Sequence, residues 1–111
     1  MGLVVYEKPT CTTCRKLFKL LEAEGVDFEK VDYHVTGLDE DEIRDLLAKA
    51  DITAAEALRM REEGARELAV ESDATIIAAM AERPELLQRP IVVNGDKAVL
   101  ARPVERALEV L

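Results

Sequence analysis

Both cysteines of this chain stand in one short segment, Pro9-Thr10-Cys11-Thr12-Thr13-Cys14-Arg15. Two cysteines scattered over 111 positions would fall three apart in roughly 2% of random placements, so the spacing carries information. Three kinds of chemistry use such a pair: a structural disulfide, a metal site, or a redox or nucleophilic couple. A structural crosslink over so short a loop would constrain the unfolded chain very little. A zinc site needs four ligands, and beyond the cysteines the chain offers one histidine, His34, far along the sequence. Spacing and setting favour the redox or nucleophilic couple.

That setting is a strand-to-helix loop. Leu3-Val4-Val5-Tyr6 is a short apolar run that reads as a buried strand. From Thr12 to about Glu24, Leu17, Phe18, Leu20 and Leu21 recur with helical period. Cys11 then falls at or just before the helix N-terminus, where free backbone N–H groups and the helix dipole favour an anion. A thiolate is such an anion, so Cys11 is expected to ionise towards neutral pH and act as a nucleophile. Cys14 lies one turn further on the same face, within disulfide reach of Cys11.

Arginines supply the second candidate constellation. Arg89-Pro90 and Arg102-Pro103 each place an arginine just before an element boundary, and Arg59 lies near another. Guanidinium groups bind tetrahedral oxyanions through paired N–H···O bonds, so three of them around a thiolate would form an oxyanion pocket. Taken singly, an arginine in a chain with 23 acidic residues is ordinarily a solvated ion-pair partner, and both readings stay open on the residues alone. Pro90 directly precedes a strand at the same sheet end as Cys11; it could be an ordinary trans proline or a cis one facing the thiol.

The elements that must position these groups follow from pattern. Gly25 ends the first helix, and Val26, Phe28, Val31 and Tyr33 suggest a second strand. Asp39 with Glu42 forms a capping box for a helix to about Ala50, and Thr53 with Glu56 repeats the pattern for a short helix ending near Met60. Arg61 to Ala69 is ambiguous. Ser72 caps a further helix carrying Ile76, Ile77 and Met80, stopped before Pro84. Ile91-Val92-Val93 and Ala98-Val99-Leu100 flank Asn94-Gly95, a hairpin signal. Pro103 opens a last helix with Val104, Ala107, Leu108 and Leu111 on one side. The result is one α/β domain, residues 1–111, with a small mixed sheet in the order β-α-β…β-β-α and a helical insertion at about 38–84.

Composition narrows the partners. A net charge of −8 disfavours nucleic acid, whose phosphates need a basic face. No apolar run approaches a membrane span. The start shows no export-signal pattern, which with a redox-type cysteine pair points to a reducing cytoplasm. The acidic stretches read as a solvated surface, His34 as a surface or strand-end residue, and the protein as a monomer.

The sequence resembles the arsenate reductase-like family of thioredoxin-fold proteins, the glutaredoxin-coupled type that also includes the Spx regulators. The likeness rests on Tyr6-x-x-Pro9-x-Cys11-x-x-Cys14-Arg15, Leu58-Arg59-x-Arg61-Glu62, Arg89-Pro90-Ile91-Val92-Val93 and Ala101-Arg102-Pro103. It spans essentially the whole chain and implies a thioredoxin/glutaredoxin-like four-stranded sheet with Pro90 as a cis proline facing the active site. It further implies that Cys11 attacks a bound arsenate held by Arg59, Arg89 and Arg102, with Arg61 as the runner-up for the middle arginine. Arg15 would be a secondary electropositive aid. No bound cofactor or metal is implied, and electrons would come from glutathione and glutaredoxin or from thioredoxin.

Two departures stand out. Glu7-Lys8 replaces the His-Asn pair usual in these enzymes, and a glutamate beside Cys11 would raise its pKa unless Lys8 offsets it. Cys14 replaces a small hydroxyl residue and would allow a Cys11–Cys14 disulfide. That second thiol is also typical of Spx-like redox sensors that bind RNA polymerase, which is the alternative function. The Arg102-Pro103 motif leans towards the reductases.

Overall fold

The computed structural model describes residues 3–111. Four strands, β1 (Leu3–Glu7), β2 (Phe28–Asp32), β3 (Ile91–Asn94) and β4 (Lys97–Leu100), form one sheet in the order β2-β1-β3-β4. β1 and β2 are parallel, with Val5 opposite Lys30; β3 runs antiparallel to β1 and to β4. This is the mixed four-stranded sheet expected from the sequence. The βα-β crossover is made by α1 (Thr12–Ala23).

Strand alternation sends side chains to two separate cores. On one face, Leu3, Val5, Val92 and Val99 pack with Leu17 and Leu21 of α1 and with Val104, Ala107 and Val110 near the C-terminus. On the other, Ile91, Val93 and Ala98 meet the segment between β2 and β3, including Ile43, Leu46, Ile76 and Met80. That segment holds α2 (Tyr33–Thr36), α3 (Glu40–Ala50), α4 (Ala65–Leu68), α5 (Asp73–Glu82) and a 3-10 turn at Pro84–Leu86. Asp39 and Glu42 form the reciprocal capping box at the start of α3, and the Ser72 side chain caps α5.

Four local expectations change. Tyr33 is not a strand residue: it opens α2, and its buried hydroxyl donates to the Leu87 carbonyl. Thr53 and Glu56 do exchange hydrogen bonds, but only a turn follows, because Leu58 bridges Leu87 and the Arg59 N–H bonds the Leu86 carbonyl at 2.8 Å. Backbone pairing with a distant segment wins over helix propagation there. In the hairpin, Asn94 still pairs with Lys97, so the two-residue loop is Gly95-Asp96, with Gly95 at φ 65° as a II′ turn requires. Asn94 is held as a strand end by its Nδ2 bond to the Val110 carbonyl, 2.6 Å.

The C-terminal element, Val104–Val110, is 3-10 rather than α. At three residues per turn the inward stripe becomes Val104, Ala107 and Val110, and Leu108 and Leu111 are left exposed.

Candidate active site

The C-terminal end of β1 delivers the chain to the first turn of α1, and Cys11 is the N-cap residue of that helix. Its backbone is extended (φ −79°, ψ 120°), and its side chain closes no cap hydrogen bond of ordinary geometry. The helix terminus therefore keeps N–H groups for an anion. Cys11 is buried with 9% of its surface exposed, and Cys14 is wholly buried; both are free thiols.

The antiparallel pairing of β3 with β1 brings the start of β3 to the same end. Arg89 immediately precedes it and is 5% exposed, yet its Nε and Nη1 have no hydrogen-bond partner. The Arg89–Pro90 peptide bond is cis, as the family resemblance implies, and so is Arg102–Pro103, whose cis form has no counterpart in the sequence pattern. The end of β4 lies beside the start of β3: Ala101 N–H bonds the Pro90 carbonyl at 2.9 Å. Arg102 follows, its Nε donating to the Arg89 carbonyl at 2.6 Å, and its Nη2 reaches to 3.9 Å from the Cys11 sulfur.

Arg59 arrives from the insertion. The backbone pairing of Leu58 with Leu87 sets it beside Gln88, whose Oε1 accepts from Arg59 Nη1 at 2.9 Å. Glu62 lies 3.4 Å from its Nε, an ion pair that is not aligned as a hydrogen bond. Burial lowers the Arg59 pKa, and the charges of Arg89, Arg102 and Arg61 lower it further, while Cys11 raises it. Three guanidinium groups thus crowd one another around one thiol. Like charges gathered in a part-buried site are costly unless an anion joins them.

The two thiols are pushed apart in acidity. Burial pushes Cys11 up, but hydrogen bonds from the Cys14 thiol and backbone, and the hydrogen bond and charge of Arg89, outweigh it, so its pKa is lowered. Cys14 is pushed up to about 12, first by burial; a backbone bond from Lys8 opposes this, while the Cys11 sulfur and the Glu7 charge add to it. The arrangement offers a thiolate nucleophile, a cationic cradle for a tetrahedral oxyanion, and a second, protonated thiol behind the first.

A model of the ArsC family matches residues 6–110 of the chain. The chain belongs to the ArsC family. Among curated relatives it is 37% identical to a protein of Escherichia coli K12 described as "Uncharacterized protein YfgD", covering 96% of this chain and 94% of that one. It is 36% identical to the arsenate reductase ArsI2 of Synechocystis, covering 98% of this chain and 81% of the relative. Its fold superposes on an arsenate reductase from Vibrio cholerae with a TM-score of 0.92 and 34% identity, over 100% of this chain and 98% of that structure. The ArsC chain described here is thus a thioredoxin-like protein of the arsenate reductase type.

Of the residues picked from sequence, Cys11, Cys14, Arg59, Arg89, Arg102 and Pro90 converge at one end of the sheet. Arg15 does not. It is exposed on α1 and meets Cys11 through its backbone, its N–H bonding the Cys11 carbonyl at 3.2 Å. Arg61 is exposed as well. His34 is not a plain surface residue: its ring lies 4.6 Å from that of Tyr33, and both its nitrogens are buried without partners. Burial lowers its pKa, with the Arg89 and Lys8 charges acting the same way, so a neutral ring is favoured beside the cationic pocket.

Sequence reasoning also missed Tyr33 and Gln88. Burial, eased by the charge and hydrogen bonding of Arg89, raises the Tyr33 pKa, so its neutral hydroxyl lies against that guanidinium. A tyrosine ending an apolar alternation carries no such signal in sequence. The Glu7 charge, which its place in the sequence sets against Cys11, is felt at Cys14.

Proposed function

We propose that this oxidoreductase reduces arsenate to arsenite, with Cys11 as the nucleophile. Arg59, Arg89 and Arg102 hold the oxyanion while the Cys11 thiolate attacks arsenic and one arsenic–oxygen bond breaks, that oxygen leaving protonated as water, and their charge offsets what accumulates in the transition state. The N-terminal N–H groups of α1 add to that cradle. Cys14 then attacks the Cys11 sulfur: the disulfide forms, the sulfur–arsenic bond breaks, and its electron pair leaves with arsenic as arsenite. Glutathione with glutaredoxin, or thioredoxin, then reduces the Cys11–Cys14 disulfide.

The observation that carries this reading is the Arg89 guanidinium. It is buried beside a thiol of lowered pKa, with two nitrogens unpartnered. A structural arginine at that depth would be paired, because a lone buried charge is costly. The relatives named as arsenate reductases support the choice of oxyanion.

The test is arsenate-dependent NADPH oxidation coupled through glutathione, glutaredoxin and glutathione reductase, run in parallel with thioredoxin and its reductase. Wild type is expected to turn over and Arg89→Ala to lose on the order of 100-fold or more. No turnover with either donor would overturn the arsenate assignment and leave the Cys11–Cys14 pair as a sensor.

A further inference from the structure

Gln88 stands between two arginines of the pocket, and the arsenate chemistry gives it no task. Its side-chain Oε1 accepts from Arg59 Nη1 at 2.9 Å and, more weakly, from the Arg89 N–H at 3.4 Å. Both partners are N–H donors, so the amide must turn its oxygen towards them and not its nitrogen. The backbone prepares this meeting. Arg59 N–H bonds the Leu86 carbonyl and Gln88 N–H the Ala57 carbonyl, each at 2.8 Å, on either side of the Leu58–Leu87 bridge. Side chains alternate along paired extended chains, so the residues flanking a bridge leave on the same side. Arg59 and Gln88 are two such residues, and their side chains touch.

Two acceptors stand beside the Arg59 head. Its side chain is only 13% exposed, and the Glu62 carboxylate lies 3.4 Å from Nε, which nevertheless has no hydrogen-bond partner. Gln88 makes the aligned bond and Glu62 does not. A guanidinium is a flat, rigid fork, so one aligned acceptor goes far towards fixing its orientation. An amide oxygen does this without a net charge. A carboxylate in the same place would hold the fork as firmly and cancel its charge. Glu62 offsets part of that charge already, but it is the more exposed partner and solvent screens it. The charges of Arg89, Arg102 and Cys11 all act on Arg59, which places its head within the cationic cluster at the thiol. The same dipeptide carries the rest of that cluster: Arg89 follows Gln88, and the Arg89 carbonyl accepts from Arg102 Nε at 2.6 Å.

We propose that Gln88 is a positioning residue for oxyanion binding: its neutral side-chain oxygen keeps the Arg59 guanidinium with Arg89 and Arg102, against the pull of Glu62, and leaves its charge for the anion. The inference rests on the proposed reductase function only for the identity of the oxyanion. Without that acceptor, Arg59 turns to Glu62 and closes the ion pair, and the pocket loses one of its three cations.

Binding can be read without turnover. In Cys14→Ser protein, arsenate in the pocket should slow iodoacetamide alkylation of Cys11, and its concentration dependence gives a dissociation constant. Gln88→Met, of similar length but with no oxygen, would be measured alone and together with Arg59→Ala. Gln88→Met is expected to weaken arsenate binding on the order of 10-fold. In the Arg59→Ala background the same change should cost less than about twofold, because the arginine through which Gln88 acts is gone. Gln88→Glu, which keeps an acceptor at the same reach, should keep the wild-type thermal midpoint yet lose arsenate affinity on the order of 10-fold. A role in holding the fold alone would leave that affinity unmoved.

No loss in Gln88→Met, an equal loss with and without Arg59, or wild-type affinity in Gln88→Glu would each overturn the proposal. Should Gln88→Met not fold, Gln88→Ala takes its place in the same cycle. Gln88-dependent protection together with absent arsenate turnover would sink the reductase reading alone. Arsenate that fails to protect Cys11 even with Gln88 present would sink both.

Discussion

Polar groups are treated in opposite ways at the two ends of this molecule. In the helical insertion they are matched locally: Asp39 with Glu42, Thr53 with Glu56, Ser72 with Thr75, Lys49 with Asp45 at 3.0 Å. At the C-terminal end of β1, buried polar atoms of Glu7, His34, Arg59 and Arg89 lack hydrogen-bond partners. Every such atom among the described residues lies in those four side chains. An unpaired buried polar group costs roughly 1–3 kcal/mol, so a fold keeps a cluster of them only where something else completes it. The insertion satisfies its polar groups within itself, whereas the β1 end leaves a cluster of them open beside the Cys11 thiol.

Substitutions can break or sharpen that contrast. Cys11→Ser has the largest expected effect: arsenate turnover in the coupled assay should vanish, while the thermal midpoint moves little. Ile43→Ala in the insertion core should do the reverse. Ile43 is fully buried, so the change should cost about 2–5 kcal/mol in urea unfolding and leave turnover per folded molecule intact.

The pH dependence of Cys11 comes next. Its lowered pKa means the thiolate persists below the usual cysteine range, so iodoacetamide alkylation of Cys14→Ser should reach its midpoint at a lower pH than that of an ordinary cysteine. Arg89→Ala removes a hydrogen bond and a charge that favour the thiolate, so the midpoint should move up. A midpoint that does not move would detach Arg89 from the thiol.

Asp39→Ala should cost about 1 kcal/mol of stability through the lost cap and leave the alkylation profile unchanged. Smallest is the stability effect of Glu7→Gln. Because the folded state raises the Glu7 pKa, the stability linked to its protonated form is lost as pH rises through that folded pKa. Glu7→Gln should therefore be as stable as wild type or slightly more so at pH 7, by up to about 1 kcal/mol, with the difference fading towards pH 4. Thermal melts at the two pH values would show it, and a variant less stable at pH 7 than wild type would contradict it.

Local signals wrote a large part of this fold into the sequence. The Asp39–Glu42 box, the apolar stripe of α1 and the existence of a hairpin after β3 depend on a few neighbouring residues, so spacing alone reveals them. The Cys-x-x-Cys pair and its place at a helix start were legible for the same reason. Tertiary pairing decided the rest. Arg59 reaches the thiol because Leu58 bridges Leu87 across 29 residues, overriding the helix that Thr53 and Glu56 would have begun. Leu108 and Leu111 lie outside because the last segment winds three residues per turn and not 3.6. The Glu7 charge is felt at Cys14 only because β1 and α1 run in opposite directions from their loop, and no spacing along the chain expresses that proximity. Sequence determined which groups could do chemistry, since residue type and local period are intrinsic to the chain. Tertiary structure decided which of them meet, since burial and charge proximity exist only once distant segments pack together.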